Sequence, residues 1–139
     1  MIKKVITQWE ENKHKLEEYF KTTPQDEYSE YEDIVKKIFE LCITEATDYT
    51  DWDINRMTVI DDGDYQGTQI FIIPTDSYQP TVENYIMTDT YYGSCSGCDT
   101  LLSIGEYSND LPTEQQIKEY MTIALHLVQK LRKLGIDKD

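Results

Sequence analysis

The spacing of apolar residues changes twice along this chain, and the two changes limit which elements it can form. Residues 2–20 repeat their apolar side chains about every 100°, which predicts an amphipathic helix. Thr22, Thr23 and Pro24 then end this helix and begin another, because threonine caps helices and proline is tolerated in a first turn. Helical spacing continues over residues 27–47. The first third of the chain is therefore predicted to be a helical hairpin.

Beyond residue 53 the spacing becomes that of strands. β-Branched residues at 56–60 and 68–73 flank an Asp-Gly turn, which predicts a β-hairpin. A third strand is predicted over about residues 81–92. Three consecutive strands of this kind form an antiparallel meander.

The last predicted element is a long helix. Thr113 and Gln116 have the spacing of a capping box, and the helical pattern runs to about Leu134, where Gly135 ends it. We therefore predict one globular α+β domain over residues 1–139: a helical hairpin, a three-stranded antiparallel β meander and a long C-terminal helix packed on the sheet. A chain of 139 residues can bury such a core without disulfides or metals.

The charge of the chain is strongly acidic and unevenly distributed. The net charge is −14, and thirteen acidic residues lie between Glu45 and Asp110 against one basic residue, Arg56. Duplex DNA and anionic membranes are bound through Lys and Arg, so this region would repel both. We therefore predict no direct binding of nucleic acid and no membrane binding. A basic protein surface is the partner that this charge favours.

The sequence also predicts a compartment. The first twenty residues interleave charged and apolar residues, unlike a secretion signal, and no apolar run approaches the length of a membrane span. Three cysteines, an odd number, do not make a disulfide framework. These features predict a cytosolic, reduced protein.

Tyrosine is abundant in the acidic region, which contains seven of the eleven tyrosines. Exposed tyrosine supplies contact area at little entropic cost, and acidic side chains complement Lys and Arg. A solvated surface with tyrosines half-buried in the sheet is the alternative. The predicted partner-binding residues are Asp61, Asp62, Asp64, Tyr65, Tyr78, Tyr91 and Tyr92.

Residues 93–100 carry a Cys-x-x-Cys motif among small residues, and several functions are open to it. Cys95 and Cys98 have the spacing of two zinc ligands, but a structural site needs four. The other suppliers are Cys42, predicted to face the core, and His14 and His126, predicted to face solvent. We therefore predict no metal site, with Cys95 and Cys98 as the residual candidates.

The same loop permits three further interpretations. Its cysteines could cycle a disulfide at a strand-to-helix junction, although Asp99 should raise the thiol pKa. Its glycines and hydroxyls could cradle an anion or a nucleotide phosphate. It could also be a tight turn whose cysteines pack inside. The ligand-loop candidate comprises Gly93, Ser94, Cys95, Ser96, Gly97, Cys98, Asp99 and Thr100.

Catalytic sets are not evident in the sequence. With two histidines, both predicted on solvated faces, no Ser-His-Asp or Cys-His arrangement can be assigned. The acidic run at 61–64 lacks the spacing of an EF-hand calcium loop. We therefore predict binding rather than catalysis, and no cofactor.

Four stretches of the chain resemble a group of small uncharacterised bacteriophage proteins. They are residues 61–68, 78–80, 92–101, which include YGSCSGCDTL, and 120–126. The resemblance implies a phage protein made in bacterial cytoplasm. By analogy with small acidic phage proteins, it implies host takeover or anti-defence through a basic host protein, with the acidic surface imitating nucleic-acid charge. A small-molecule or nucleotide binder using the 93–100 loop is the alternative, and a thiol or metal protein is the second.

Overall fold

The fold is described from a computed structural model, which covers residues 2–63, 67–93, 100–105 and 109–134. Helices and a single antiparallel sheet occupy separate parts of the chain, which confirms the predicted α+β class. The main elements, in chain order, are α1 (Ile2–Thr22), α2 (Tyr31–Lys37), β1 (Thr58–Asp61), β2 (Gly67–Pro74), β3 (Tyr85–Tyr92), α3 (Thr100–Gly105), α4 (Glu114–Gln129) and β4 (Arg132–Lys133).

Helix α1 forms where the apolar spacing predicted it. Val5, Trp9, Leu16 and Phe20 all lie on its buried face. The helix ends at Thr22, whose hydroxyl donates to the Glu18 carbonyl at 3.0 Å. Its amphipathic face therefore explains both its existence and its orientation.

The second helix is shorter than the predicted 27–47 range. A 3₁₀ turn over Gln25–Tyr28 comes first, so α2 begins at Tyr31, and a π-helical segment, Ile38–Cys42, extends it. The helix stops there because Gln8 Oε1 accepts hydrogen bonds from the backbone N–H groups of Thr44 and Glu45, at 3.0 and 2.8 Å. A buried side chain of α1 thus ends α2, which helical periodicity could not reveal.

The sheet has four strands in the order β1-β2-β3-β4, where the sequence predicted three. The predicted continuation of the last helix to Leu134 is wrong, because α4 ends at Gln129. Arg132 instead pairs with Met87, and the Leu134 N–H donates to the Tyr85 carbonyl at 3.1 Å. The strand β3 also begins later than predicted, at Tyr85, because a 3₁₀ turn occupies Val82–Asn84.

One face of the sheet packs on the helices. Phe71, Ile73 and Ile86 are fully buried there, and the Thr88 hydroxyl donates to the Leu127 carbonyl of α4 at 2.7 Å. Side chains of this size each contribute about 1.5–3 kcal/mol when buried. Trp52 completes the core beside Phe39, with ring centroids 6.3 Å apart.

The other face of the sheet contributes no side chain to this core in the part of the chain that the structure describes. We name it the open face. The strand registers place these residues on it: Thr58, Ile60, Thr68, Ile70, Ile72, Tyr85, Met87, Asp89, Tyr91 and Arg132. None of the described helices is long and apolar enough to cross a membrane.

Candidate functional site

The described part of the β1–β2 turn meets the end of β3 at one end of the sheet, and three of the predicted partner-binding residues are hydrogen-bonded there. Tyr92 lies opposite Gly67 in the strand register. Its hydroxyl oxygen is 2.5 Å from Asp61 Oδ1 and 2.8 Å from the Gly63 carbonyl oxygen. Thr68 N–H donates to Asp62 Oδ1 at 2.6 Å. We name this group, with Asp61, Asp62 and Tyr92, the hairpin site.

Hydrogen bonds fix the charge of Asp61. The Tyr92 hydroxyl, followed by the Gly63 N–H, holds the pKa of this carboxyl below its usual value. Gln69 Nε2 also donates to Asp61 Oδ2, at 3.2 Å. Asp61 is therefore ionised at neutral pH, and it closes the turn while remaining exposed.

Glycine is required at position 67 for steric reasons. A Cβ atom built on Gly67 would lie 2.7 Å from Asp62 Oδ1 and 2.9 Å from the Gly63 Cα atom. Contacts this short do not occur between real Cβ atoms and other heavy atoms. The turn therefore leaves no room for a side chain at position 67, next to the Asp62 carboxylate and the Gly63 backbone.

Tyr78, also predicted to bind the partner, lies at the opposite end of β2 from the hairpin site. Seven residue steps of about 3.3 Å separate the two ends of this strand, or about 23 Å. The Tyr78 side chain is 94% exposed. The structure therefore does not bring the predicted residues into a single cluster.

Arg56 holds the loop that carries Tyr78. Its Nη2 atom donates to the Thr75 and Ser77 carbonyls at 2.8 and 3.0 Å, and its Nε atom donates to Asp53 Oδ2 at 2.8 Å. The one basic residue of the acidic region is thus occupied by its own chain.

A second loop at this end of the sheet carries an exposed tyrosine that the sequence prediction missed. Tyr49 is 97% exposed, in a turn closed by the Thr47 and Thr50 backbones. The Asp76 N–H donates to the Asp51 carbonyl at 2.9 Å and joins this turn to the Tyr78 loop. We name residues 47–51 and 75–78 the end loops.

Some of the acidic residues form ion pairs with Lys or Arg side chains, and others do not. Lys4 Nζ lies 3.6 Å from Glu45 and 3.3 Å from Asp48. Asp89 on the open face accepts from Arg132 Nη2 at 2.8 Å. Among the described residues, Asp51, Asp76 and Glu83 make no ion pair. The uncompensated negative charge of this end of the sheet therefore lies on and beside the end loops.

Several predicted residues lie outside the described part of the chain, namely Asp64, Tyr65 and residues 94–99 with Cys95 and Cys98. Of the ligand-loop candidate, the structure places Gly93, buried after β3, and Thr100, exposed at the start of α3. No group of three or more potential metal ligands occurs among the residues that are described.

The positions of Cys42, His14 and His126 are as predicted. Both histidines are exposed, and the Cys42 side chain is buried with Sγ 3.4 Å from the Asn12 carbonyl oxygen. Burial raises the pKa of the Cys42 thiol to about 11. This cysteine is a core residue whose thiol is protonated at neutral pH.

A cavity of about 200 Å³ is lined by Thr100, at the described end of the 93–100 loop, and by Thr90 and Tyr91 of β3. Ile123 and Leu127 supply aliphatic surface, and Lys130 also lines the cavity, with its Nζ atom 3.4 Å from the Asp89 carbonyl oxygen. The backbone N–H of Leu101 donates to the Tyr31 hydroxyl oxygen at 3.1 Å and fixes the start of α3 against this wall. The full lining is Tyr31, Thr90, Tyr91, Thr100, Ile123, His126, Leu127 and Lys130.

Comparison with known proteins gave no match: no family model, no curated protein and no solved structure is significantly similar to this chain.

Proposed function

We propose that this chain is a bacteriophage accessory protein that acts in the cytoplasm of the bacterial host by binding a basic surface of a host protein. The observation that carries the proposal is the pair of end loops. Tyr49 and Tyr78 are 97% and 94% exposed, and they lie two residues from Asp51 and Asp76, which make no ion pair among the described residues.

The chemistry of these loops suits a partner rich in Lys and Arg. Tyrosine is enriched at interfaces because its ring buries a large area and its hydroxyl still finds a polar partner. Uncompensated carboxylates attract Lys and Arg over a Debye length and increase the association rate. The net charge of −14 gives the surface the sign of a nucleic acid. The proposed action, host takeover or anti-defence, is therefore occupation of a host site that otherwise binds nucleic acid.

The experiment should use the end loops, because Asp61 and Asp62 hold the hairpin turn and their reversal would also disturb folding. The protein is immobilised and used to isolate basic partners from host lysate, and the affinity of an isolated partner is then measured. The double variants Asp51→Lys/Asp76→Lys and Tyr49→Ala/Tyr78→Ala are each expected to weaken binding at least about tenfold.

The matched control is Glu11→Lys/Glu18→Lys, which makes the same change of charge at exposed positions of α1. The control should lose much less affinity than the end-loop variants. Binding should also weaken about tenfold or more when NaCl rises from about 50 to about 200 mM. Salt-independent binding, or equal loss in the control, would contradict the proposal.

The cavity favours a second candidate function, a binder or sponge of small molecules such as nucleotides. At about 200 Å³ it is smaller than the 300–1,000 Å³ of typical drug-sized sites, so it would enclose a nucleobase or sugar and leave phosphate at Lys130. Aliphatic and aromatic walls with a few polar groups are the usual composition of such sites.

Thermal denaturation in the presence of single nucleoside monophosphates tests this function. A ligand present at about 100 times its Kd stabilises the folded state by about 2.7 kcal/mol, which should raise the Tm. Lys130→Met should abolish the rise, whereas Lys118→Met, an exposed lysine elsewhere on α4, should preserve it. An unchanged Tm across the panel would remove this candidate.

A further inference from the structure

The β2 segment Ile70-Phe71-Ile72-Ile73 is apolar on both of its faces. A strand with one face in water alternates apolar and polar residues, whereas a continuous apolar run is typical of a strand covered on both faces. Phe71 and Ile73 lie in the core with no exposed surface, but Ile70 and Ile72 lie on the open face and keep part of theirs. The sequence of β2 is therefore typical of a strand covered on both faces, whereas the described structure covers only one of them.

Neighbouring strands extend this apolar surface. Ile60 of β1 lies opposite Ile70, and Met87 of β3 lies opposite Ile72. Ile60 is 46% exposed, and Tyr91 on the same face is 55% exposed. Contiguous apolar side chains on three adjacent strands mark an interaction surface far more often than single exposed residues do. We name Ile60, Ile70, Ile72 and Met87 the apolar strip.

The charges around the apolar strip restrict what can cover it. On the open face itself, Asp89 is paired with Arg132 at 2.8 Å. At the Pro74 end of β2 the strip adjoins the end loops, where Asp51 and Asp76 make no ion pair among the described residues. At the other end of β2, Asp61 and Tyr92 of the hairpin site lie on the opposite face of the sheet, so the acidic residues beside the strip are those of the end loops. An apolar strip with one acidic end complements a segment that is apolar on one side and basic on the other.

We infer that the apolar strip receives a basic amphipathic helix of the partner protein. This inference rests on the proposed function and specifies the chemistry of its partner. The apolar side of the helix packs on the strip, and its Lys and Arg side chains pair with the end-loop carboxylates. Since β2 is about 23 Å long and a helix rises about 1.5 Å per residue, a helix of about 15 residues matches the length of β2 and reaches from the strip to the end loops.

A second copy of the chain fits the strip less well. Two copies packed face to face would bring the end loops of one against either the end loops or the hairpin site of the other, and both ends are acidic. An added β-strand would pair with the edge of β1 and would leave the open face uncovered.

Two synthetic peptides of about 18 residues test the inference on the full chain. Both contain leucine and lysine in equal numbers, but one spaces leucine at i, i+3, i+4 and i+7, and the other distributes it around the helix. Fluorescence anisotropy should show the amphipathic peptide binding about tenfold more tightly. Ile70→Thr/Ile72→Thr should remove this preference. Ile60→Thr should reduce it in part, and this variant perturbs folding less because Ile60 is 46% exposed.

Ile6→Thr and Leu125→Thr are the matched controls, since these apolar residues are 52% and 37% exposed on α1 and α4 and lie outside the open face. Equal binding of the two peptides, or loss of the preference in the controls as well, would overturn the inference and leave the acidic binding function intact. Failure of both peptides to bind would also overturn the inference, and the end-loop variants, measured against an isolated partner, would then test the proposed function separately. A concentration-dependent dimer in sedimentation that Ile70→Thr/Ile72→Thr abolishes would assign the strip to a second copy and also overturn the inference.

Discussion

Tyr120 and Tyr78 have the same side chain and opposite surroundings. Tyr120 is 2% exposed, its hydroxyl donates to Gln25 Oε1 at 2.8 Å, and its ring meets the edge of Tyr28 at 4.9 Å. Tyr78 is 94% exposed. Tyr120 therefore contributes to the stability of the fold, whereas Tyr78 is a surface residue.

Tyr120→Phe should lower the free energy of unfolding by about 1 kcal/mol, because it removes one buried hydrogen bond and keeps the ring. Denaturant unfolding measures this change. Tyr78→Phe is the matched control and should leave the stability unchanged. Unchanged stability in Tyr120→Phe would contradict the prediction and show that the hydrogen bond only offsets the desolvation of the hydroxyl.

The same residue predicts a loss of stability at high pH. Burial raises the pKa of Tyr120 from 10.0 to about 12. The stabilisation is complete below pH 10, where both states are protonated, and it declines from pH 10 to about 12 because the unfolded state releases its proton first. Urea unfolding at pH 9 and pH 11 should show a smaller decline for Tyr120→Phe than for the parent chain. Parallel declines would contradict the assignment.

At the scale of the element, the hairpin site links a turn to the neighbouring strand through one hydroxyl. The Tyr92 hydroxyl is the largest cause of the lowered Asp61 pKa. Tyr92→Phe should therefore raise the Asp61 pKa toward 3.8, as followed by carboxyl NMR during an acid titration. Tyr91→Phe, on the opposite face of β3, should leave it unchanged. An unaltered Asp61 pKa in Tyr92→Phe would mean that the Gly63 N–H and the Gln69 side chain lower it without the Tyr92 hydroxyl.

The loop that carries Tyr78 depends on the planar guanidinium of Arg56. Arg56→Lys keeps the charge but cannot reach Asp53 and two carbonyls together, because an ammonium lacks the fixed fork of donors. Hydrogen exchange at the Asp76 amide should become at least about threefold faster in this variant. Arg132→Lys is the control, with no expected change at Asp76. Unchanged exchange in Arg56→Lys would show that the Asp76–Asp51 hydrogen bond holds the loop by itself.

Elements with local signals were predictable from sequence, and those fixed by distant residues were not. Helix α1 follows from its own apolar spacing, and α4 begins where Thr113 and Gln116 exchange hydrogen bonds across its first turn. The end of α2 depends on Gln8, 36 residues from Thr44. The strand β4 depends on pairing with β3 and on the Arg132–Asp89 contact, which joins residues 43 positions apart.

The candidate site was predictable to a similar extent. Composition identified an acidic, tyrosine-bearing region, and the Asp-Gly turn identified the hairpin. The separation of Tyr78 from Asp61 required the strand register, and the position of Tyr49 beside the Tyr78 loop depends on the Asp76–Asp51 hydrogen bond, which joins distant residues. The local sequence signal for its turn is Thr47-Asp48, because such side chains bond nearby backbone N–H groups in turns, as the Thr47 hydroxyl does with the Thr50 N–H.

At the scale of the whole molecule, the acidic charge should make stability depend on salt. Raising the NaCl concentration from about 0.01 to about 0.15 M shortens the Debye length from about 30 to about 8 Å. Net repulsion within a chain of charge −14 should weaken more than its exposed ion pairs do, since such pairs contribute little. We expect the Tm to rise by a few degrees, as measured by calorimetry. Asp51→Asn/Asp76→Asn/Glu83→Gln should reduce this rise, and a Tm that falls with salt would contradict the expectation.

The two tryptophans, Trp9 and Trp52, are 3% and 6% exposed, whereas the exposed aromatic side chains described above are tyrosines. The chain therefore contains two optical reporters with separate targets. Indole emission, at shorter wavelength in an apolar core, follows unfolding of the helical layer and the sheet beneath it. Phenol absorbance responds to solvent at the exposed Tyr49, Tyr78 and Tyr91 among the described tyrosines, and it follows contact with a partner. A single unlabelled sample can thus distinguish a variant that has lost its partner from one that has lost its fold.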